Sequence, residues 1–172
     1  IIDFYLRANK IFYEATKGKL DAILIGNDFG GQSGLLVSPE MVREFAFPGT
    51  QKLVNQAKEY GLKVIHHSCG SVYDLIPDLI QIGVDAIHPM QVRAKNMEPD
   101  RLKREFSKKV AFVGGVDAQY NLVQKGPDTI RDEVLQLKKI FPTGLVISPS
   151  HEAILPDVDP KNVDALFKAV HE

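Results

Sequence analysis

The sequence has almost no cysteine, no tryptophan and no excess of charge of either sign. Cys69 is the one cysteine among 172 residues, which excludes an intrachain disulfide framework and favours a reducing, cytoplasmic compartment. Twenty-one Lys and Arg residues against 22 Asp and Glu residues leave a net charge of -1. Such a balance gives no sign of the positively charged surface that binds nucleic acid.

Long apolar runs are also missing. The apolar stretches fall far short of the roughly 20 residues that a membrane span requires, so we expect no membrane partner. No basic stretch precedes an apolar one at the start, which argues against a signal peptide. The chain starts at Ile1, without Met, inside a helix-like pattern that includes Ile2, Leu6 and Ile11. We therefore expect residues 1–172 to be a single segment of a longer protein.

Strand-like and helix-like segments alternate along the chain. Short apolar runs predict strands near residues 21–25, 62–66, 84–88, 110–113 and 144–147. Helix signals lie between them: Ser38 and Asp159 are good N-caps, each followed by a proline at the first helical position, and Gly61 is placed to end a helix. About five βα units of this kind predict an α/β fold with a parallel sheet covered by helices.

Both an open doubly wound sheet and a barrel fit this alternation. No G-x-G-x-x-G motif follows a strand, which weakens a dinucleotide-binding sheet. Polar, Gly or Pro residues follow nearly every strand, as in barrels whose sites are assembled from many post-strand loops. Five units do not close a barrel, so we predict the C-terminal portion of a (β/α)8 (TIM) barrel. Its unpaired strand edges make a homodimer an expectation for the isolated segment.

The first candidate cluster is the glycine-rich stretch at residues 27–32, directly after the first predicted strand. Asp28 and Gln32 would face the mouth of the barrel. Asp28 could accept a proton there or bind a cationic or N–H group of a substrate. A flexible turn with a solvated aspartate is the alternative interpretation.

The second cluster is the run His66, His67, Ser68, Cys69 and Gly70. His67 and Cys69 are two positions apart, so in extended backbone their side chains lie on one side, roughly 6–7 Å apart at Cα. One tetrahedral zinc ion can bridge that distance, and His66 would point the other way. A buried thiol beside a core histidine is the alternative.

Two further clusters follow later strands. Gly114 and Gly115 let backbone approach a ligand or another loop closely, and Asp117 either binds substrate or caps the next segment. His151, within residues 148–152, follows the last predicted strand. In a closed barrel it would reach the neighbourhood of His67 and Cys69, although a solvated surface histidine is also possible. His88 is expected to support the site or to pack.

These motifs together resemble the C-terminal half of the uroporphyrinogen decarboxylase superfamily, which includes methylcobamide:coenzyme M methyltransferases. The matching stretches lie at residues 27–32 (NDFGGQ), 36–41 (LVSPEM), 67–70 (HSCG), 113–117 (VGGVD) and 150–160 (SHEAILPDVDP). The resemblance spans essentially the whole chain. It implies a (β/α)8 barrel, in agreement with the alternation of strands and helices.

The resemblance leaves the reaction open between two branches. In the methyltransferase branch a His-x-Cys pair and a later cysteine hold Zn²⁺, which activates a thiol to take a methyl group from a corrinoid protein. His67 and Cys69 match that pair, and His151 stands near the missing cysteine. This implies a metal set of His67, Cys69 and His151, with a small thiol and a corrinoid protein as partners.

The decarboxylase branch has no His-x-Cys pair and needs no metal. Its late histidine contacts a tetrapyrrole, and His151 matches it, although Glu152 and Ala153 replace the following glycine. Asp28, His67 and His151 are the catalytic candidates across the two branches; Asp28, Gln32, Gly114, Gly115, Asp117 and His151 are the substrate-binding candidates. We favour zinc-dependent methyl transfer, with tetrapyrrole decarboxylation and a non-catalytic corrinoid or tetrapyrrole binder as alternatives.

Overall fold

A computed structural model describes all of residues 1–172. Its strands, in chain order, are β1 (Ala22–Gly26), β2 (Gly30–Gly31), β3 (Gly34–Leu35), β4 (Lys63–His67), β5 (Ala86–Met90), β6 (Ala111–Val116) and β7 (Leu145–Pro149). Five of them form one sheet in the order β1-β4-β5-β6-β7, and every neighbouring pair is parallel. The predicted fold is thereby confirmed: five βα units follow one another as in part of a TIM-type barrel.

Helices connect and cover these strands. They are α1 (Ile2–Ala15), α2 (Pro39–Met41), α3 (Phe47–Glu59), α4 (Ile76–Ile82), α5 (Pro99–Phe106), α6 (Asn121–Gln124), α7 (Pro127–Ile140) and α8 (Pro160–Val170), with a π-helical turn at Val42–Ala46 and a 3-10 turn at Tyr73–Leu75. None of the helices combines the length and the apolar composition that crossing a membrane requires.

The predicted helix boundaries follow from local chemistry. The Ser38 hydroxyl accepts a hydrogen bond from the backbone N–H of Met41 at 3.3 Å, and the Asp159 carboxylate accepts one from Lys161 at 2.9 Å. Both caps satisfy a first-turn N–H that has no partner within the helix. Gly61, just past the end of α3, has the left-handed φ of 77° that ends many helices.

Two details differ from the prediction. The helix expected after Ser38 is interrupted by the π-helical turn. The antiparallel pair β2–β3 begins in the glycine-rich stretch, where no strand was predicted. Both deviations involve few residues. Neither leaves a periodic pattern long enough to detect in a sequence.

The two faces of the sheet have different environments. Twenty-nine buried apolar residues form one core on the helix-covered side, which includes Val64 and Phe112. On the other face, Leu24 is 56% exposed and Val146 is 60% exposed. His67 and His88 are register partners on this second face, beside Gly26 of β1. In a barrel this face points inward, toward the active-site mouth.

Candidate metal centre

Ionisable side chains from three separate loops meet around the sulfur of Cys69. His67 is the last residue of β4 and Cys69 lies two positions on, Asp28 follows β1, and Glu152 follows β7. All of these strands are parallel, so their carboxyl ends open on the same side of the sheet. This is the side on which barrel enzymes build their sites.

The first group consists of Asp28, His67 and Cys69. The Asp28 carboxylate accepts a hydrogen bond from the backbone N–H of Cys69 at 2.8 Å. The same oxygen lies 3.3 Å from Nε2 of His67, and that nitrogen lies 3.7 Å from the Cys69 sulfur. Asp28 therefore both holds the loop and presents a carboxylate beside two potential metal ligands.

Close backbone packing holds this group in place. Gly70 has a φ of 76°, and a Cβ there would lie 2.5 Å from the carbonyl carbon of Gly30. The Ser68 hydroxyl accepts the Phe29 N–H at 2.9 Å, and the Gln91 side-chain oxygen accepts the Gly70 N–H at 2.8 Å. The loops after β1, β4 and β5 are thus locked together, which positions Cys69.

The second group joins Cys69 to His151 and Glu152. The thiol of Cys69 donates to Oε2 of Glu152 at 3.6 Å, and Nδ1 of His151 lies 3.7 Å from the same oxygen. One ligand atom from each of the three residues lies within 4.8 Å of the others. His151 is 38% exposed, and its Nδ1 also accepts the backbone N–H of Ala153 at 3.3 Å.

The donor set fits zinc. Imidazole nitrogen, thiolate sulfur and carboxylate oxygen are its ordinary protein ligands, and two ligands at 2.0–2.3 Å in tetrahedral geometry lie about 3.5 Å apart. Four pairs of ligand atoms in the cluster are 3.3–3.7 Å apart, and the remaining pairs within each group lie within 4.8 Å. His67 and His151 fall in different groups that share Cys69, so the three-ligand set of His67, Cys69 and His151 remains a prediction.

The cluster is strongly unfavourable for a free thiolate. Burial, together with the negative charges of Asp28 and Glu152, raises the pKa of Cys69 to about 12. A hydrogen bond from its own backbone N–H and the nearby His151 and His67 lower the pKa of Glu152. Two carboxylates beside a thiol make a site that favours a bound cation, since a cation would offset the repulsion among them.

Glu152 is the site residue that sequence reasoning missed. It stands next to His151 in the run Ser150, His151, Glu152, where the family resemblance marks it only as a departure from a glycine. A carboxylate beside a candidate ligand histidine was the available signal. Its approach to Cys69 depends on the loop after β7 folding over the loop after β4, which no local pattern reports.

Three other predicted substrate-binding residues, Gln32, Gly114 and Gly115, contact neighbouring parts of this chain. The Gln32 side chain donates to Gln91 at 3.4 Å. Gly114 and Gly115 allow β6 to pass close to β5, because a Cβ at Gly114 would lie 2.7 Å from the Met90 nitrogen. The close approach is thus to a neighbouring strand, and their role toward a substrate remains a prediction.

Asp117 caps the segment after β6, the second of its two interpretations. It is buried, and its carboxylate accepts backbone N–H groups of Gln119, Tyr120 and Asn121 at 2.9, 3.1 and 3.3 Å. It also forms an ion pair with Arg93. These partners occupy the carboxylate, and a contact with substrate remains a prediction.

The remaining two histidines on β4 and β5 differ in their surroundings. His66 points into the core as expected, stacks on Phe29 at 5.8 Å between ring centroids, and has no partner for either ring nitrogen. Burial lowers its pKa to about 4. His88 lies beside the site, with its Nδ1 2.8 Å from Nδ1 of His67, and burial followed by the charge of His67 lowers the pKa of His88.

The fold and the cluster together define a class: part of a TIM-type barrel with a cluster of ionisable side chains, able to hold a metal ion, beyond the carboxyl ends of its strands. Within that class, the chain belongs to the uroporphyrinogen decarboxylase (URO-D) family, whose model matches residues 11–172. The superfamily resemblance seen in the sequence is confirmed.

Two known proteins are similar to this chain, one in sequence and one in structure. Over 145 residues the chain is 29% identical to the uroporphyrinogen decarboxylase of Chlorobium phaeobacteroides, a match that covers 79% of this chain and 38% of that protein. The structure of this chain also resembles that of a methyltransferase from Methanosarcina mazei. The TM-score is 0.74, and the two are 24% identical in a match that covers 97% of this chain. The chain spans 47% of that structure, so it covers less than half of either protein. The structural likeness shows the fold alone.

Proposed function

We propose that this chain carries the metal-binding part of a zinc-dependent methyltransferase site, which moves a methyl group from a methylated corrinoid to a thiol. The observation that supports it is the gathering of Asp28, His67, His151 and Glu152 around the sulfur of Cys69. His67 and Cys69 would hold the ion, with a carboxylate of Asp28 or Glu152, or the imidazole of His151, completing the set.

Zinc, when bound, supplies Lewis acidity that lowers the pKa of a thiol toward neutrality and so makes the nucleophilic thiolate available. The chain's own residues prepare for that role. Asp28 and Glu152 supply negative charge that attracts a cation, and the locked loop around Gly70 holds Cys69 against His67. The substrate thiol would approach at the carboxyl ends of the strands, where the cluster is partly exposed.

The test is the metal content of the full-length protein and of single-residue variants at and away from the cluster. We expect about one zinc per chain in the wild type, and loss of that zinc in His67→Ala and Cys69→Ala. His171→Ala removes an exposed histidine in the last residues of the chain, far from the cluster in sequence, and should leave zinc unchanged. Equal zinc in His67→Ala and the wild type would contradict the site.

Activity then separates the reactions. Zinc-dependent consumption of a thiol with methylcobalamin supports the proposal, whereas porphyrinogen turnover that survives chelation supports the alternative of tetrapyrrole decarboxylation. That alternative is favoured by the decarboxylase named among the relatives and by His151 standing before Ala153, Ile154, Leu155 and Pro156. Corrinoid or tetrapyrrole binding without any turnover would favour a non-catalytic binder.

A further inference from the structure

His67 and His88 make an unusual contact in which Nδ1 of one ring lies 2.8 Å from Nδ1 of the other. The residues are register partners on β4 and β5, with ring centroids 5.0 Å apart and planes tilted by 37°. A hydrogen bond between two ring nitrogens requires a proton on one and a free lone pair on the other. The contact therefore couples the tautomer of His67 to that of His88.

The second nitrogen of His67 faces the candidate metal centre. Its Nε2 lies 3.7 Å from the Cys69 sulfur and 3.3 Å from Asp28. An imidazole nitrogen ligates a metal only through its lone pair, so a ligating Nε2 carries no proton. In neutral His67 the proton must then reside on Nδ1, where it points at His88.

We infer that His88 is a positioning residue for His67: its Nδ1 lone pair accepts the Nδ1–H of His67 and so keeps the Nε2 lone pair of His67 directed at the metal centre. This inference rests on the proposed function, in which His67 is a zinc ligand. In this arrangement the proton of His88 lies on its own Nε2. Partners of this kind fix the orientation and tautomer of metal-bound histidines in many proteins.

The strand pairing explains why the two rings meet. His67 and His88 occupy opposite register positions of a parallel pair and point to the same face of the sheet. The strand register thereby places Nδ1 of His88 within hydrogen-bond distance of Nδ1 of His67. At the same time, Nε2 of His67 reaches Cys69 and Asp28.

A pair of variants of similar shape tests the inference in the full-length protein. His88→Asn places a side-chain oxygen acceptor close to the position of Nδ1, whereas His88→Leu has nearly the same shape and no acceptor. We expect zinc affinity, measured by competition with a chelator, to fall roughly 10- to 100-fold in His88→Leu and to be largely retained in His88→Asn. Equal melting temperatures of the two variants in chelator would show that the loss is not a folding defect.

A second measurement needs no variant. In zinc-loaded wild-type protein, nitrogen-15 spectra of the histidine rings should show a proton on Nδ1 of His67 and on Nε2 of His88. A proton on Nδ1 of His88 would overturn the inference, as would wild-type zinc affinity in a folded His88→Leu. A wild-type protein that binds no zinc would overturn the proposed function and this inference together, so the two failures are distinguishable.

Discussion

The carboxylate of Glu152 lies 3.6 Å from the sulfur of Cys69, although the two residues are 83 positions apart in the chain. The contact joins the loop after β7 to the loop after β4. It brings a second carboxylate to a thiol that already has Asp28 beside it. The chemistry of Cys69 therefore depends on two loops that the sequence separates widely.

The metal-free thiol of Cys69 should react very slowly with alkylating reagents. A pKa of about 12 leaves roughly one thiol in ten thousand ionised at pH 8, and the thiolate is the reactive form. We expect iodoacetamide labelling of chelator-treated full-length protein, followed by mass spectrometry, to accelerate with each rise in pH up to about 12.

Removing one carboxylate tests whether nearby negative charge slows the labelling of Cys69. Glu152→Gln deletes a negative charge that raises the pKa of Cys69, so labelling at pH 8 should become faster. Glu44→Gln deletes an exposed carboxylate on the π-helical turn and should leave the rate unchanged. If Cys69 of the wild type is labelled as rapidly as a free cysteine, the placement of Cys69 between Asp28 and Glu152 is contradicted.

His66 should make the protein less stable as the pH falls. Its pKa is lowered to about 4 in the folded chain by burial, against about 6.5 when unfolded. The unfolded state therefore binds the proton first, so the stabilisation is complete above pH 6.5 and is lost as the pH falls toward 4. Denaturant unfolding of the full-length protein should show about 2 kcal/mol of this loss between pH 7 and pH 5.

The contribution of His66 is separable by substitution. His66→Leu fills the site with an apolar side chain and removes two buried nitrogens that have no partner, so we expect its stability at pH 7 to be retained and its loss at pH 5 to be smaller. His171→Leu, at an exposed position, should keep the wild-type pH dependence. An identical pH dependence in His66→Leu would show that another group is responsible.

Two glycines with nearly the same backbone conformation should respond differently to alanine. Gly70 has a φ of 76° and Gly18 a φ of 75°, but a Cβ at Gly70 would lie 2.5 Å from backbone whereas nothing lies within 4 Å at Gly18. Gly18→Ala should cost about 1–2 kcal/mol from conformation alone. Gly70→Ala should cost about 1–3 kcal/mol more from the clash, measured as the free energy of unfolding, with loss of zinc. Equal costs would contradict the close packing of the two loops.

The segment of residues 1–172, produced alone, should self-associate. β1 and β7 each pair on one side only, and open strand edges template association. The exposed Leu24 and Val146 lie on the uncovered face of the sheet. Sedimentation should show association that rises with concentration and that weakens when both residues are changed to lysine. Ile154→Lys, at an exposed apolar residue outside the sheet, is the control, and a monomer at high concentration would contradict the prediction.

Much of the architecture was predictable because its signals are local. Ser38 and Asp159 mark helix starts through hydrogen bonds to N–H groups two or three residues away. The alternation of short apolar strands with helices predicts parallel neighbours in chain order, since such connections are almost always right-handed and consecutive strands are usually adjacent. Short deviations such as the π-helical turn at Val42–Ala46 leave too few residues for a periodic pattern.

The sequence by itself determined the succession of βα units, the family resemblance and the candidacy of His67 and Cys69, because each depends on residue types at short and fixed spacing. Only the tertiary structure decided which groups surround Cys69. Glu152 reaches the sulfur through the folding of a loop after β7, and His88 reaches His67 through strand register. Contacts between residues far apart in the chain depend on how strands pair and loops fold, and no local pattern encodes distances of that kind.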